Sequence, residues 1–522
     1  MLASVTTFAI DGMESRRVTV EVDIRPGLPA FTIVGLGDRA VREARERVHA
    51  AILNSGFEFP QRRVTVNLAP AHMRKAGPGY DLAIACGVLA ASGQIPAHTL
   101  AGFAVFGELA LGGDLRPCRG AIAVAEGAVK AGLGGLVVPP ERAAEAALVS
   151  GLDIVAAGSL AEAAALIGDD ERPTVQTRRP DPLVAGRASV DGPDLADVRG
   201  HASVISALIV AAAGGHNMLM SGPPGVGKTM LARRLPSILP PLSSDEALEV
   251  TRVQSVAGLH PSGELVAQRP FRSPHHMISA SGLVGGGSLP LPGEATLAHR
   301  GVLFLDELSE FSRPALEALR QPLEDGRATI VRGQRTVVYP TVFMLVAATN
   351  PCPCGHAGSE RCRCTESDLQ RHRRRLSGPL LDRLDILVDV GRPTAEDFGR
   401  GPTATSSEVG ERVVAARERQ ARRLEGTAAT CNAQMDARTV RALVRLDRAA
   451  ETTLRLAYER GEVSARGRDR CLRVAQTIAD LAGSDRVLHD HVHIALGYRL
   501  DARATRGESV PPPAPEILGC VA

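Results

Sequence analysis

The sequence predicts a mixed α/β fold in which two successive α/β regions are followed by a helical region. In the first region, RRVTVEVDI (16–24) and RRVTVNLAP (62–70) alternate apolar and polar residues, as half-buried strands do. In the last region, SEVGERVVAARERQARRL (407–424) and RDRCLRVAQTIADLAG (468–483) have amphipathic helical periods. A chain of 522 residues is too long for one ordinary core, so two or three domains are expected.

Changes in composition indicate where these regions begin and end. Between the two strands of the first region, DRAVREARERVHAAILNSG (38–56) has helical spacing and ends at a glycine. The segment 169–193 is rich in proline, glycine and charge, which is typical of a linker. We therefore predict an α/β domain over 1–168, a linker over 169–193, an α/β core over 194–392, a helical domain over 393–505 and a flexible tail over 506–522.

The bulk composition is that of a globular protein, with 44% hydrophobic and 23% charged residues and a formal charge of +2. Among 60 basic residues only Lys75, Lys130 and Lys228 are lysines, so a lysine at a motif position is informative, whereas an arginine cluster is weak evidence for nucleic-acid binding. No run of about eighteen apolar residues occurs, so we expect no membrane span. The amino terminus lacks the features of a secretory signal, and nine cysteines suit a reducing cytoplasm.

The strongest motif lies in HNMLMSGPPGVGKTMLARRL (216–235), where an apolar strand, a glycine-rich turn and a helical pattern follow one another. This stretch satisfies G-x-x-x-x-G-K-[ST] in the context that the motif requires. The glycines let backbone N–H groups approach phosphate oxygens, the lysine reaches the β- and γ-phosphates, and the threonine hydroxyl binds Mg²⁺. The predicted nucleotide-binding residues are Gly222, Pro223, Pro224, Gly225, Val226, Gly227, Lys228 and Thr229.

Two later apolar runs end in polar residues suited to the same site. GVLFLDEL (301–308) supplies Asp306 as a magnesium ligand and Glu307 as the base that orients the attacking water. TVFMLVAATN (341–350) ends at Asn350, where a further parallel strand would meet the same crevice. We expect Asn350 to sense the γ-phosphate.

Together with these motifs, several long stretches resemble the AAA+ ATPases of the magnesium-chelatase-like group, specifically the YifB/ComM family. They include GLPAFTIVGLGDRAVREARERV (27–48), RPFRSPHHMISASGLVGGG (269–287), NPCPCG (350–355), SGPLLDRLDI (377–386) and SARGRDRCLRVAQTIADLAG (464–483). The resemblance covers essentially the whole chain. It implies a parallel-sheet AAA+ P-loop domain with flanking helices, an α/β domain before it that is similar to Lon proteases, and a helical lid after it.

The resemblance also implies a ring of chains, expected to be a hexamer, with ATP and Mg²⁺ bound between two chains. SGPLLDRLDI corresponds to the stretch that supplies an arginine finger, which makes Arg383 the candidate. In the lid, SAR places Arg466 as a second sensor, with Arg473 as the alternative. Only the resemblance implies these roles, because most arginines in this arginine-rich chain are expected to be ordinary surface residues.

Two segments are expected from the resemblance to project into the pore of such a ring. One is FRSPHHMISASGLVGGGSLP (271–290), and the other is the hairpin ATIVRGQRTVVYP (328–340). Contacts to the phosphates of a threaded strand would come from Arg272, His275, His276, Arg332 and Arg335. The alternative for the two histidines is that they only hold the insert in shape.

The likeness of the first domain to Lon proteases fails at the catalytic positions. Gly79 stands where the nucleophilic serine would fall, and no lysine lies near Ile122 or Val124, where its partner belongs. Acyl chemistry needs both a hydroxyl and an amine. We therefore predict that this domain is not a protease and serves assembly or substrate engagement.

Four cysteines follow Asn350 in the pattern CxC-x7-CxC, namely Cys352, Cys354, Cys362 and Cys364. Four thiolates on a short polar loop can hold one tetrahedral Zn²⁺. Four reduced thiols on a flexible loop, or a redox pair, are the alternatives. Downstream, Arg371 and 373–375 form a basic cluster that either contacts nucleic acid or is a solvated helix face.

Three functions fit the sequence. The resemblance implies a ring-forming ATPase that moves on single-stranded or branched DNA, in helicase work or branch migration during recombination of incoming DNA. The alternatives are a magnesium-chelatase-type motor subunit that helps a partner insert Mg²⁺ into a porphyrin, and a protein-remodelling ATPase. The Lon-like domain and the cysteine loop are unexpected in a dedicated chelatase subunit.

Overall fold

The computed structural model describes residues 1–167, 174–175, 192–259, 263–287, 291–332, 335–357, 360–375, 378–399 and 404–499. The mixed α/β fold is confirmed, with a parallel sheet flanked by helices and a helical region at the carboxyl end. Most of the predicted linker 169–193 and the whole predicted tail 506–522 lie outside the described residues. No helix in the described part of the chain is long and apolar enough to cross a membrane.

The amino-terminal region is built on a seven-stranded mixed sheet in the order β3-β4-β2-β1-β5-β8-β9. Strands β2 and β4 alternate buried and less buried side chains, as the sequence pattern predicts. The elements are β1 (Leu2–Asp11), β2 (Glu14–Arg25), β3 (Ala30–Val34), α1 (Arg39–Asn54), β4 (Arg63–Ala69), α2 (Asp81–Ser92), β5 (Phe103–Val105), β6 (Glu108–Leu109), β7 (Leu115–Arg116), α3 (Ala121–Lys130), β8 (Gly135–Val138), α4 (Pro140–Ala146), β9 (Asp153–Ala156) and α5 (Leu160–Ile167).

The central region contains a five-stranded sheet in the order β11-β14-β17-β10-β18, and all its described pairings are parallel. Its three inner strands are apolar and almost wholly buried, because helices cover both faces of a parallel sheet. The elements are α6 (Ala202–Gly214), β10 (Met218–Ser221), α7 (Lys228–Ala232), α8 (Leu235–Ile238), α9 (Ser244–Ala257), β11 (Phe271–Arg272), α10 (Ala280–Val284), β12 (Gly285–Gly286), β13 (Leu291–Pro292), α11 (Glu294–Leu297), β14 (Val302–Leu305), α12 (Arg313–Ala318), α13 (Arg320–Asp325), β15 (Arg327–Arg332), β16 (Arg335–Pro340), β17 (Met344–Thr349), α14 (Glu366–Arg375), α15 (Gly378–Leu381) and β18 (Ile386–Asp389).

The carboxyl-terminal region is helical, as predicted. Its helices share one apolar core with α6 and the central sheet, in which Val413 and Ile478 pack with Ile205 and Met218. The elements are α16 (Ala395–Gly399), α17 (Ser406–Leu424), α18 (Ala437–Leu443), α19 (Arg448–Glu459), α20 (Ala465–Leu481) and α21 (His489–Gly497).

The amino-terminal region packs on the central region through α9 and the β15–β16 hairpin. Met13 shares a buried apolar cluster with Val253, Val337 and Tyr339. A side-chain carbon on Gly12 would lie 2.5 Å from Cγ1 of Val337, so the two backbones approach closely here. One face of the hairpin is therefore covered, while Arg332 at its far end is exposed.

Candidate nucleotide site and cysteine cluster

The glycine-rich loop joins β10 to α7 at the carboxyl edge of the central sheet. Gly225 and Gly227 have φ values of 76° and 92°, a region that glycine enters without strain. Gly222 lies directly against the carbonyl oxygen of Val390, so a side chain there would collide with the chain after β18. The positive φ values at 225 and 227 and the contact between residue 222 and the Val390 carbonyl explain why the motif has glycine at these three positions.

Lys228 begins α7 and points its ammonium group toward the neighbouring strand. Its Nζ donates to the carbonyl oxygens of Gly222 at 2.5 Å and Pro223 at 2.9 Å, and to Oδ1 of Asn350 at 3.1 Å. Burial lowers the pKa of Lys228 from its usual value, while the charges of Asp306 and Glu307 act in the opposite direction.

Thr229 and Asp306 meet beside the lysine. The threonine Oγ1 donates to Oδ2 of Asp306 at 2.6 Å, and the backbone N–H of Glu307 donates to Oδ1 of the same carboxylate at 3.0 Å. Hydroxyl and carboxylate oxygens are the ligands that Mg²⁺ prefers, so this pair fits a magnesium site. Glu307 has a φ of 51°, unusual for a residue other than glycine, and its side chain is 56% exposed toward the cavity mouth.

These residues line one cavity of about 410 Å³. Its walls come from three adjacent strands, because the carboxyl ends of β14, β17 and β10 lie side by side. The lining residues are Pro224, Gly225, Val226, Gly227, Lys228, Thr229, Met230, Asp306, Glu307, Thr349 and Asn350. The structure thus brings together all the predicted P-loop and strand-end residues except Gly222 and Pro223. These two do not line the cavity, but their carbonyl oxygens accept hydrogen bonds from Lys228.

Arg383 and Arg466 lie away from this cavity. Arg383 precedes β18, and its carbonyl oxygen accepts from Nδ2 of Asn217 just before β10, which places it at the amino edge of the sheet. Its guanidinium pairs with Glu324, and burial followed by the charges of Arg320 and Arg466 lowers its pKa. The two predicted arginines are therefore near each other and opposite the P-loop of their own chain.

The alternative second sensor, Arg473, contacts the backbone of its own chain. Its Nη1 donates to the carbonyl oxygen of Ala433 at 2.6 Å within the helical region. Nearby, His216 bridges the sheet and the lid, with Nδ1 3.1 Å from Oδ2 of Asp385 and Nε2 2.8 Å from Oγ1 of Thr477. This buried network fixes α20 against the amino edge of the sheet.

In the segments predicted to reach a ring pore, some of the polar side chains contact other residues of the same chain. Arg272 forms a two-pronged ion pair with Glu294, at 2.6 and 2.9 Å, so it is already neutralised. Nδ1 of His276 lies 3.6 Å from Oε2 of Glu307, and the ring of His276 is tilted against that of His275, with ring centres 4.1 Å apart. The hairpin turn at 333–334 and the side chain of Arg335 lie outside the described residues. Pore contact stays a prediction.

Sequence reasoning missed His276 as a neighbour of Glu307, Glu324 as the partner of Arg383, and His372 as a partner of the Asn350 backbone. No motif marks these three residues. Only the two adjacent histidines were a usable signal, since such a pair is unusual in an arginine-rich chain and precedes the run that ends at Asp306 and Glu307.

The four cysteines that follow β17 converge. All four Sγ atoms lie within 4.8 Å of one another, and Cys352 is fully buried. The Sγ atom of Cys352 is 3.3 Å from that of Cys354 and 3.9 Å from that of Cys362, and the latter two are 3.7 Å apart. Backbone N–H groups of Arg363 and His356 lower the pKa of the Cys354 thiol to about 6.

The position of the missing protease nucleophile is filled by an aromatic ring. A side-chain carbon on Gly79 would lie 2.5 Å from Cε2 of Phe106. Lys75, the lysine nearest in sequence, is fully buried, and its ammonium donates to the carbonyl oxygen of Pro70. This arrangement leaves no room for a serine at 79 in the observed packing.

Comparison with known proteins gives consistent matches along the whole chain. The family described as magnesium chelatase, subunit ChlI, matches residues 194–398. The family described as subunit ChlI of Mg-chelatase matches residues 20–142, and the one described as magnesium chelatase, subunit ChlI C-terminal, matches residues 403–499. YifB of Escherichia coli is 42% identical over 95% of this chain and 97% of its own length. Competence protein ComM of Haemophilus influenzae is 40% identical over 96% of this chain and 98% of its own length. The Holliday junction branch migration complex subunit RuvB of Paenarthrobacter aurescens is 32% identical over 26% of this chain and 29% of its own length.

Proposed function

Because the chain belongs to the YifB/ComM family of magnesium-chelatase-like AAA+ ATPases, we propose that it hydrolyses ATP and uses the released free energy to move on DNA. The observation that carries the ATPase proposal is the meeting of Lys228, Asp306 and Asn350 around one cavity. Phosphoryl transfer depends on positioning and on charge stabilisation, and these three side chains supply both.

The side chains divide the chemistry among them. Lys228 and the P-loop amides bind the phosphates, while Asn350 contacts the γ-phosphate from the next strand. Thr229 and Asp306 would hold a Mg²⁺ ion, which when bound neutralises charge on the β- and γ-phosphates. Glu307, exposed at the cavity mouth, orients the attacking water and accepts its proton.

We propose further that the site is completed by a neighbouring chain in a ring, which we take to be hexameric. Arg383 and Arg466 lie near each other at the sheet edge opposite their own P-loop, so they can serve a nucleotide only on another chain. A guanidinium placed against the γ-phosphate stabilises the charge that develops during transfer. Glu324 holds Arg383 in the isolated chain and would release it to the neighbour's nucleotide.

DNA is the proposed substrate of the motor. Support comes from two relatives, one named as a competence protein and one as a subunit of a branch migration complex. The exposed Arg332 at the end of the β15–β16 hairpin offers a cation for a strand's phosphates. Single-stranded or branched DNA is the expected form, in recombination of incoming DNA.

The cysteine cluster fits one structural Zn²⁺. Tetrahedral zinc with Zn–S bonds of about 2.3 Å separates the sulfurs by about 3.8 Å, and the three Sγ distances given above range from 3.3 to 3.9 Å. ATP as the fuel and reduced thiols as zinc ligands point to the cytoplasm as the place of action.

The ATPase rate under three conditions tests the proposal. Purified protein is assayed alone, with forked or single-stranded DNA, and with candidate protein partners. A DNA-dependent increase that weakens as salt rises supports the DNA motor, because phosphate contacts release counterions. A rate that responds only to protein favours the chelatase-type or protein-remodelling alternative. An ATP-dependent branch-migration assay on a four-way junction then distinguishes movement from binding.

A further inference from the structure

The cysteine loop contacts the parts of the chain that surround the nucleotide cavity. Its Gly355 lies against the P-loop: a side-chain carbon there would be 2.5 Å from Cδ of Pro224. Its first cysteine, Cys352, is two residues from Asn350 and fully buried. Because the two loops are in direct contact, a change in the mobility of the cysteine loop would change the mobility of the P-loop.

The helix after the loop makes the second contact. His372 of α14 is almost fully buried, at 5% exposed, and its Nε2 lies 2.9 Å from the carbonyl oxygen of Asn350. With Nε2 protonated, the imidazole donates to this carbonyl. The same asparagine holds Lys228 through its side chain, at 3.1 Å. Asn350 is thus fixed at its backbone by α14 and at its side chain by the P-loop.

A third contact reaches the chain that follows Glu307. Arg375, in the last turn of α14, places Nη1 3.5 Å from Oε2 of Glu310. Both partners are about half exposed, so this pair contributes little stability by itself. The contact does show that the end of α14 lies next to the segment that follows β14.

The start of α14 is tied to the cluster. Thr365 directly follows Cys364, its Oγ1 accepts from the backbone N–H of Asp368, and its own N–H donates to the Asp368 carboxylate at 3.1 Å. The first turn of α14 is therefore held in one position only if Cys364, the residue before this cap, is held in one position. Bonds from one ion to four sulfurs would provide that constraint, because the loop has too little apolar surface to form its own core.

We propose that the zinc-bound cysteine loop and α14 form a brace that positions Asn350 and the P-loop for ATP turnover, with His372 as the positioning residue. This deepens the proposed ATPase and rests on it. Loss of the metal would release Cys352 and Cys364. Asn350 would then lose its fixed contact with α14, and Pro224 would lose its fixed contact with Gly355. Nucleotide still binds through Lys228, but the γ-phosphate contact is no longer held in place.

The full-length protein and four variants test the brace. Cys362→Ser removes one zinc ligand, and Cys431→Ser, a buried cysteine of the helical region, is its matched control. His372→Ala removes the bond to Asn350 while all four cysteines remain, and His372→Gln restores a donor at a similar reach. The measurements are zinc content by mass spectrometry, affinity for a fluorescent ATP analogue, kcat and KM for ATP, and hydrogen exchange of residues 222–229 and 344–352.

We expect one Zn²⁺ per chain in the wild type, in Cys431→Ser and in both His372 variants. His372→Ala should lower kcat by about 10-fold, because Asn350 is no longer held in position against the γ-phosphate, with little change in nucleotide affinity. His372→Gln should recover most of that loss. Chelation of zinc, or Cys362→Ser, should speed hydrogen exchange in both segments.

Zinc-free folded protein that keeps the wild-type kcat and unchanged exchange at 222–229 and 344–352 would overturn the brace. So would wild-type protein that is folded and holds no zinc. If the wild type holds zinc but hydrolyses no ATP under any condition, the ATPase proposal fails, and hydrogen exchange before and after chelation still decides whether the brace exists.

Discussion

The ammonium group of Lys228 donates a 3.1 Å hydrogen bond to the side-chain oxygen of Asn350, 122 residues away in the chain. The bond joins the P-loop to the end of the neighbouring strand β17, so the residue proposed to bind phosphate and the residue proposed to sense it are in direct contact. Asp306, which directly follows β14, is joined to the P-loop by a hydrogen bond from Thr229. Each of the following predictions tests one part of this arrangement or of the fold that carries it.

Lys228→Ala should weaken ATP binding by about 30-fold, which corresponds to about 2 kcal/mol for the lost charged contacts. The ammonium group is the nearest cation to the P-loop carbonyls and has no substitute among the residues lining the cavity. Lys130→Ala, which removes an exposed lysine at the end of α3, is the control and should bind normally. Equilibrium titration with a fluorescent ATP analogue measures the difference; equal affinities would contradict the assignment.

Glu307→Gln should keep ATP affinity while kcat falls by about 100-fold or more, because an amide cannot accept a proton from water. The control is Glu317→Gln, which changes a half-exposed glutamate on α12 outside the cavity. Steady-state hydrolysis and a binding titration on the same preparations provide both quantities. A Glu307→Gln protein that turns over ATP at the control's rate would remove this residue from its role.

Thermal stability should fall as the pH drops below about 6.5 in a way that depends on His216. Burial lowers the pKa of His216 in the folded chain below its ordinary value of 6.5, so the unfolded chain takes up the proton more readily. The contribution of this histidine to stability is therefore complete above pH 6.5 and is lost as the pH falls through that value toward the folded pKa. Asp385 opposes the lowering, while Arg473 and Arg417 add to it.

Melting temperatures of wild type and His216→Gln between about pH 7.5 and about pH 5.5 check this prediction. The variant should be less stable at neutral pH, because it loses its contacts to Asp385 and Thr477, but its melting temperature should depend less on pH. Burial also lowers the pKa of His201, His299 and His491, so only the difference between the two slopes reports on His216. Parallel slopes would show that His216 does not titrate differently in the two states.

Gly79→Ser should not create a peptidase. The added side chain would collide with the ring of Phe106, and the described residues around it offer no lysine amine that is free to activate a hydroxyl. We expect a lower melting temperature and no cleavage of casein or of fluorogenic peptides, with or without ATP. The double change Gly79→Ser with Phe106→Ala should recover part of the lost stability and still cleave nothing; measurable cleavage by either protein would contradict the account of this region.

The sequence alone predicts that Lys228, Asp306 and Asn350 lie at one edge of the sheet, for a physical reason. Lys228, Asp306 and Asn350 each follow an apolar strand, and parallel strands that share a sheet place their carboxyl ends on one edge. Local patterns therefore fix the positions of all three residues relative to the sheet. The same logic applies to the four cysteines, which a short loop brings together whatever the rest of the fold does.

Contacts between regions that are distant in sequence carry no such pattern. Nothing in the hairpin sequence shows that Val337 and Tyr339 pack on Met13, since an alternating strand can bury its apolar face against any partner. The pairing of Arg383 with Glu324 is equally hidden, because both residue types are common on surfaces. The proximity of Arg383 to Arg466 depends on how the lid docks on the sheet through His216.

The central claim, that one chain binds ATP and the next completes the site, is tested most directly by mixing two inactive variants. Lys228→Ala retains Arg383 and Arg466, and Arg383→Ala retains the P-loop, so some interfaces of a mixed ring combine both intact halves. We expect each variant alone to be inactive and the mixture to regain a measurable part of the wild-type ATPase rate. A mixture that assembles into rings and stays as inactive as its components, while the wild type hydrolyses ATP, would contradict the claim.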